Sequence, residues 1–188
     1  KSYGSDIKHF DDFVGKISNN INADIILSAD HGHFKCEKGK LVYGHDVYDP
    51  VARIPLITPN YFNKKIIRYP VEQSQLKDLI LDKSLDVKDY IYCDTRYYEQ
   101  HDRVLMIRKD NYKYIYNKID DSEELYDLDY DESENINLLV KKWPCFDRRS
   151  FYDLDEIVYY KNWELAEKYY ALLSKEKKRI WKQGSLAQ

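Results

Sequence analysis

The first apolar pattern along the chain is helical. Ile7, Phe10, Val14, Ile17 and Ile21 recur at spacings of three and four, and Ser5 or Asp6 stands where a cap belongs. Turn-favouring residues in "NNINAD" close that helix. "DIILSA" follows, a short apolar run rich in branched side chains, which predicts a buried, parallel-type strand. Helix then apolar strand is half of an α/β unit. From Asp30 to Arg53 the periodicity is lost in a long loop carrying glycines and charges. It leaves the carboxyl end of the strand, where open α/β sheets bind ligands. "IPLITP" is a second short apolar run bracketed by prolines, and a helix is expected over Val71–Leu81 with Leu76, Leu79 and Ile80 inward.

From Asp89 the period changes to two. "DYIYCDTRYY", "RVLMIRKD" and "YKYIYNK" read as antiparallel strands, with "KDN" as a tight hairpin turn. "EELYDLDYDESENINLL" comes next, then an irregular linker, "KKWPCFDRRSFYDLDE". The last element is a helix over Val158–Trp181, whose stripe is Tyr159, Trp163, Ala166, Tyr170 and Leu173. The order predicts an α/β fold class: the back half of an α/β domain bearing a small α+β appendage. The expected divisions are residues 1–88 for the α/β part, 89–140 for a small antiparallel subdomain, and 141–188 for a linker and terminal helix.

Composition narrows this only modestly. The 188 residues suit one domain or slightly more. A net charge of -3 argues against a general nucleic-acid binder. With 34% charged and 43% hydrophobic residues, the chain is globular rather than disordered. No apolar run approaches the ~18 residues of a membrane span. Cys36, Cys93 and Cys145 are far apart and form no CxxC pair, so they leave the compartment open. The nineteen tyrosines suit half-buried strands and sugar-binding surfaces alike, and abundant Lys, Ile and Asn fit an AT-rich codon bias. The opening "KSYGSDIKHF" is neither a signal peptide nor an initiator methionine, and reads as the middle of a longer protein.

The candidate chemistry lies in "ADHGHFKCEKGKLVYGHDVYD". Carboxylate oxygen beside imidazole nitrogen is a usual divalent-metal pair, and the turn that Gly32 invites would let Asp30 and His31 face one site. His33, His45, Asp46 and Asp49 are the local candidates for further ligands. A second interpretation also fits: a strand-end turn in which Asp30 caps backbone, with the histidines and Lys35, Lys38 and Lys40 solvated.

Three motifs in order bear on the choice: "ADIILSADHG", "GHDVYDPVARIPLI" and "YKYIYNKIDDSEELYDLDYDESENINLL". Together with the opening "YGSDIKHFDDFVGKI", this series resembles the sulfatases, members of the alkaline phosphatase superfamily. The resemblance spans most of Tyr3 to Leu139, and nothing beyond about Lys141 takes part in it. It implies the back half of an alkaline-phosphatase-like sandwich, with a small C-terminal antiparallel sheet and a long terminal helix. It implies Asp30 and His31 as ligands of one divalent cation, Ca first, with Mn, Zn or Mg as alternatives. His45 falls near the basic residue that contacts a sulfate or phosphate and is the catalytic candidate. His33 is a possible additional ligand. Arg53 with "IPLI", and Tyr126 with Asp127, match structural segments. The loop departs from the family, which often has Glu or Asp after Asp-His-Gly and a "GEHG" further on.

The resemblance also implies what this chain should lack. The family's nucleophile lies in a Cys/Ser-x-Pro-x-Arg motif near the amino end, with acidic metal ligands upstream of it. The nearest imitation, "WPCFDRR" around Cys145, has no proline at the required place. The expectation is therefore a fragment, inactive alone, whose partner is the N-terminal part of the same protein. The intact enzyme's substrate would be a small-molecule or saccharide sulfate or phosphate ester. The alternatives are a phosphodiesterase or phosphonate-ester hydrolase of the same superfamily, a non-catalytic sulfatase-like binding module, or a metal-free Tyr-rich carbohydrate-binding module. No membrane segment or nucleic-acid partner is expected, and oligomeric state is left open.

Overall fold

The computed structural model describes residues 3–58, 66–67, 69–95, 104–140 and 152–185. It divides into two compact units: Lys1–Asp30 with Ile54–Arg68, and His31–Arg53 with Tyr69–Gln188.

The first unit holds the predicted opening helix, α1 (Tyr3–Asn20), and the two short apolar runs. Those runs form strands of two residues each, β1 (Leu27–Ser28) and β2 (Leu56–Ile57), paired antiparallel with Leu27 opposite Ile57. The Ser28 hydroxyl donates to the Pro55 carbonyl at 3.0 Å. The expected buried, parallel-type strand is thus corrected: residues 25–29 are half-buried and the pair is antiparallel. An apolar run announces burial but carries no information on its partner's direction. The stripe on α1 is real, yet Ile7, Phe10 and Phe13 are each more than half exposed. A hydrophobic stripe states that a helix needs a partner, not where that partner is.

The second unit is built on a four-stranded antiparallel sheet in the order β3 (Ile91–Thr95), β4 (Val104–Lys109), β5 (Tyr112–Asn117), β6 (Ser122–Asp127). The β4–β5 turn is Asp110–Asn111, with Asp110 at a φ of +53°, which Asp tolerates better than most residues. Alternation along each strand gives the sheet two apolar faces. Val104, Met106, Ile115 and Tyr126 face the loop of residues 31–53, where Phe34, Val47, Tyr48 and Val51 complete a core. On the other face Leu105, Ile107, Tyr114 and Leu125 meet Ala166, Tyr169 and Leu173 of the long helix α4 (Tyr152–Ser185).

Two helical expectations shift by a residue or a turn. Residues 71–81 yield a 3-10 turn at Gln73–Gln75 and then α3 (Leu76–Asp82); Leu79 is buried while Ile80 is exposed. On α4, Tyr169 rather than Tyr170 is buried. Both lie three or four residues from Ala166, so a 3.6-residue period admits either. Tyr169 is the one whose hydroxyl reaches the Lys109 carbonyl, at 2.9 Å. The side chain of Tyr159 and the segment around Cys145 lie outside the described residues.

"ENINLL" runs back along β6. Leu138 N–H donates to the Leu125 carbonyl at 2.9 Å, and the Asn137 side-chain oxygen accepts the N–H groups of Leu125 and Leu139 at 3.0 Å each. Asp131 and Asn137 thereby terminate backbone groups that the irregular segment would otherwise strand, since Ile136 N–H also bonds Asp131 at 2.6 Å.

Candidate functional site

Along the chain, Asp30 is the last residue of the first stretch of one unit and His31 the first residue of the other. Both residues are exposed. Gly32 is required for a steric reason. A Cβ at this position would lie 2.1 Å from the Pro50 carbonyl oxygen, so backbone passes against backbone here. Gly32 N–H closes the approach by donating to the Val51 carbonyl at 2.8 Å.

That approach sets the imidazole. His31 Nδ1 lies 2.8 Å from the Gly32 carbonyl oxygen. A carbonyl only accepts, so Nδ1 carries the proton and the neutral ring keeps its lone pair on Nε2. Histidines that bind metals are commonly held this way by a backbone carbonyl on the other nitrogen. His33 repeats the arrangement with the Phe34 carbonyl, at 2.6 Å. Between them stands Tyr43, stacked on the His31 ring at 4.0 Å and 23° and tilted against His33 at 5.7 Å. Tyr43 is a residue that the sequence did not single out.

His45 is exposed one residue beyond Gly44, whose carbonyl accepts the Thr95 hydroxyl. Asp46 on its other side pairs with Lys40 at 2.7 Å. The loop is therefore tied to the sheet edge at Gly44 and to itself at Asp46, on the two sides of His45. Lys38 is not simply solvated. Its Nζ stands 4.9 Å above the Tyr48 ring and 5.2 Å above that of Tyr126, and burial pulls its pKa below the ordinary lysine value. Lys40 also faces Tyr48, at 5.0 Å. Beneath them the Tyr48 and Tyr126 hydroxyls both donate to Glu124, at 2.7 to 2.8 Å, and burial with that carboxylate raises both phenols well above their usual range.

Asp49 anchors the loop's far end, at the start of the short helix α2 (Asp49–Ala52). It meets Lys113 Nζ at 2.8 Å, and Lys113 meets Glu134 at 2.6 Å; Lys113 and Glu134 are fully buried. Neither Lys113 nor Glu134 stands out in sequence, although a lysine on the inward phase of "YKYIY" is the available signal. Arg53 pairs with Glu132 at 3.0 Å.

Carboxylate oxygen and imidazole nitrogen are both donor types that divalent cations take, and Asp30 and His31 are adjacent in the chain. Among the described residues there is no group of three or more His, Cys, Asp or Glu arranged to hold a metal.

Comparison with known proteins places the fold. No family model and no curated protein matches the sequence. Solved structures share its architecture, among them two sulfatases. One is a "putative sulfatase" from Bacteroides thetaiotaomicron, with a TM-score of 0.52 and 17% identity over 83% of this chain and 38% of the other. The second is a 2-O GAG sulfatase, with a TM-score of 0.57 and 19% identity over 83% of this chain and 36% of the other. The chain has a partial sulfatase-like fold, and it spans under two fifths of the length of either structure.

Proposed function

We propose that this chain is the carboxyl-terminal part of a metal-dependent, sulfatase-like hydrolase of sulfuric esters. The observation that carries the reading is the local build of Asp-His-Gly. A glycine that nothing larger can replace places a carbonyl on His31 Nδ1, within a fold that solved sulfatases share. Asp30 and His31 would hold one divalent cation, Ca or alternatively Mn, Zn or Mg, with two acidic ligands supplied by a preceding part of the protein. The cation would neutralise charge on the ester and activate the nucleophile. His45, when protonated, binds the anionic group or gives a proton to the leaving oxygen. His33 is a candidate additional ligand. The tyrosine-lined loop suits a saccharide or small-molecule ester.

Alone, the 188 residues are expected to be inactive. Turnover of a chromogenic aryl sulfate or aryl phosphodiester is measured with Ca, Mn, Zn and Mg. Metal-dependent hydrolysis by this chain alone would sink the proposal. The full reading frame, read for Cys/Ser-x-Pro-x-Arg after a leading Asp-Asp, supplies the second arm. A threonine nucleophile would favour phosphodiester or phosphonate chemistry, and absence of the upstream acids would favour a non-catalytic binding module. In an active full-length protein, D30A and H31A are each expected to lower kcat at least a hundredfold, an effect of the size expected when a metal ligand or its support is removed.

A further inference from the structure

The loop that carries the three histidines is fastened to the sheet by ions rather than by apolar contact alone, and we propose that Lys113, Asp49 and Glu134 are positioning residues for His31. The functional meaning of this link rests on reading His31 as a metal ligand.

The argument begins in the sheet register. Arg108 of β4 lies directly opposite Lys113 of β5, on the face turned to the loop. Two cations opposed in this way repel unless an acid comes between them. Asp49 supplies it: Oδ1 is 2.8 Å from Lys113 Nζ and Oδ2 is 4.0 Å from Arg108. Glu134 closes the cluster. Its Oε1 meets Lys113 Nζ at 2.6 Å, and its Oε2 accepts the backbone N–H of Asp49 at 2.8 Å. Asp49 is thus held by side chain and backbone at once, which fixes the start of α2 in position and rotation.

The next links are backbone. Pro50 and Val51 follow Asp49 in α2. The Pro50 carbonyl lies against Gly32, the Val51 carbonyl accepts Gly32 N–H, and the Gly32 carbonyl accepts His31 Nδ1–H. Each link is a directed hydrogen bond or a contact of backbone on backbone. Phe34, Val47, Tyr48 and Val51 already hold the loop by burial. Apolar contacts tolerate sliding, whereas directed bonds among buried polar groups restrict the arrangement. The cluster therefore sets orientation where the core sets only attachment, and the orientation it sets is that of the His31 ring.

The test reads His31 and Gly32 directly in the 188-residue chain, without metal or substrate. Long-range proton–nitrogen NMR spectra, recorded above the imidazole titration range, report which ring nitrogen of His31 carries the proton. Amide exchange reports the Gly32–Val51 bond. In D49A and K113M, the Nδ1–H form of His31 is expected to lose population, and Gly32 is expected to exchange about tenfold faster or more. Ile107 and Leu125 in the sheet lose protection only as far as global stability falls, and the Gly32 change is read relative to theirs. D49N and E134Q preserve shape and hydrogen bonds and are expected to lie between these variants and the wild type. They also keep the test open if D49A or K113M does not fold. An unchanged His31 tautomer and unchanged Gly32 exchange in folded D49A, or in D49N and E134Q, would overturn the positioning assignment whatever the metal assays show. A tautomer shift alongside a full-length enzyme indifferent to D30A and H31A sinks the metal reading and leaves the link standing.

Discussion

The two faces of the β3–β6 sheet are closed by opposite means. Against α4 the cover is apolar and aromatic: Leu105, Ile107, Tyr114 and Leu125 meet Ala166, Tyr169 and Leu173, and polar tips are satisfied at the margins. Tyr90 donates to Glu176 at 2.8 Å and Tyr114 to Glu123 at 2.7 Å. Against the loop, the apolar core is joined by a fully buried lysine and glutamate with Asp49 between elements far apart in sequence. A helix can be docked by shape, because its backbone is satisfied internally. A loop has no such internal order, so its position must be specified by bonds that have direction. Part of the tyrosine content has a structural use. Tyr48, Tyr90, Tyr92, Tyr114, Tyr116 and Tyr126 each place their hydroxyl on a carboxylate, and Tyr169 places its own on a backbone carbonyl. This is a packing use of the side chain.

Breaking the loop face should have the largest effect. K113A leaves Glu134 buried without its cation, and E134A does the reverse; each is expected to cost about 3–5 kcal/mol. The double variant K113M/E134M removes both charges at similar volume and should recover most of that loss, because an apolar pair carries no desolvation penalty. Urea unfolding midpoints of the two single variants and the double variant measure this. Additive losses would mean that the two residues do not act as a pair. Recovery of stability without recovery of the His31 tautomer would separate attachment from orientation.

How far the sequence foretold this contrast follows from the distances involved. The helix face was readable, because strand alternation over residues 91–117 and the stripe on α4 are each local patterns. The strand β6 is not legible in the sequence. "SEELYD" carries two adjacent glutamates, which mask its alternation until Glu123 is seen to meet Tyr114 and Glu124 to meet Tyr48. The ion cluster was illegible for a different reason. Lys113 and Asp49 are 64 residues apart, and Asp49 and Glu134 are 85 apart, so no window contains the pair. Asp30, His31, His33 and His45 were found as residue types in one loop, whereas the role of Gly32 needed Pro50 to be placed beside it.

The helix face should respond more gently to loss of a polar group. Y169F removes a hydroxyl that ties α4 to the end of β4, through the bond to the Lys109 carbonyl. The expected cost is about 1 kcal/mol, since the ring and its packing remain. Thermal and urea unfolding measure it. A loss matching that of K113A would mean that the helix, like the loop, is positioned by its polar contacts, and the contrast between the faces would fail.

The smallest effect, and the sharpest in sign, is on pH dependence. Each face buries one glutamate, and the two are shifted in opposite directions. Burial raises Glu134 above the ordinary carboxylate range, and Lys113 only partly offsets it. Hydrogen bonds from Arg179 first, then from Tyr90, hold Glu176 below that range against the cost of burial. For Glu134 the native state keeps a proton that the unfolded chain has released. Its contribution to stability therefore falls as pH rises from the ordinary glutamate value, about 4.3, through its raised folded value. For Glu176 the unfolded chain binds the proton first. Its contribution is present above that same ordinary value and is lost as pH falls through its depressed folded value. Neither slope can exceed about 1.4 kcal/mol per pH unit. E134Q should flatten the stability curve above the ordinary value and leave the acid limb unchanged. E176Q should flatten the acid limb and leave the upper one. If E134Q altered the acid limb instead, Glu134 would be ionised by Lys113 in the native state to a greater degree than burial opposes.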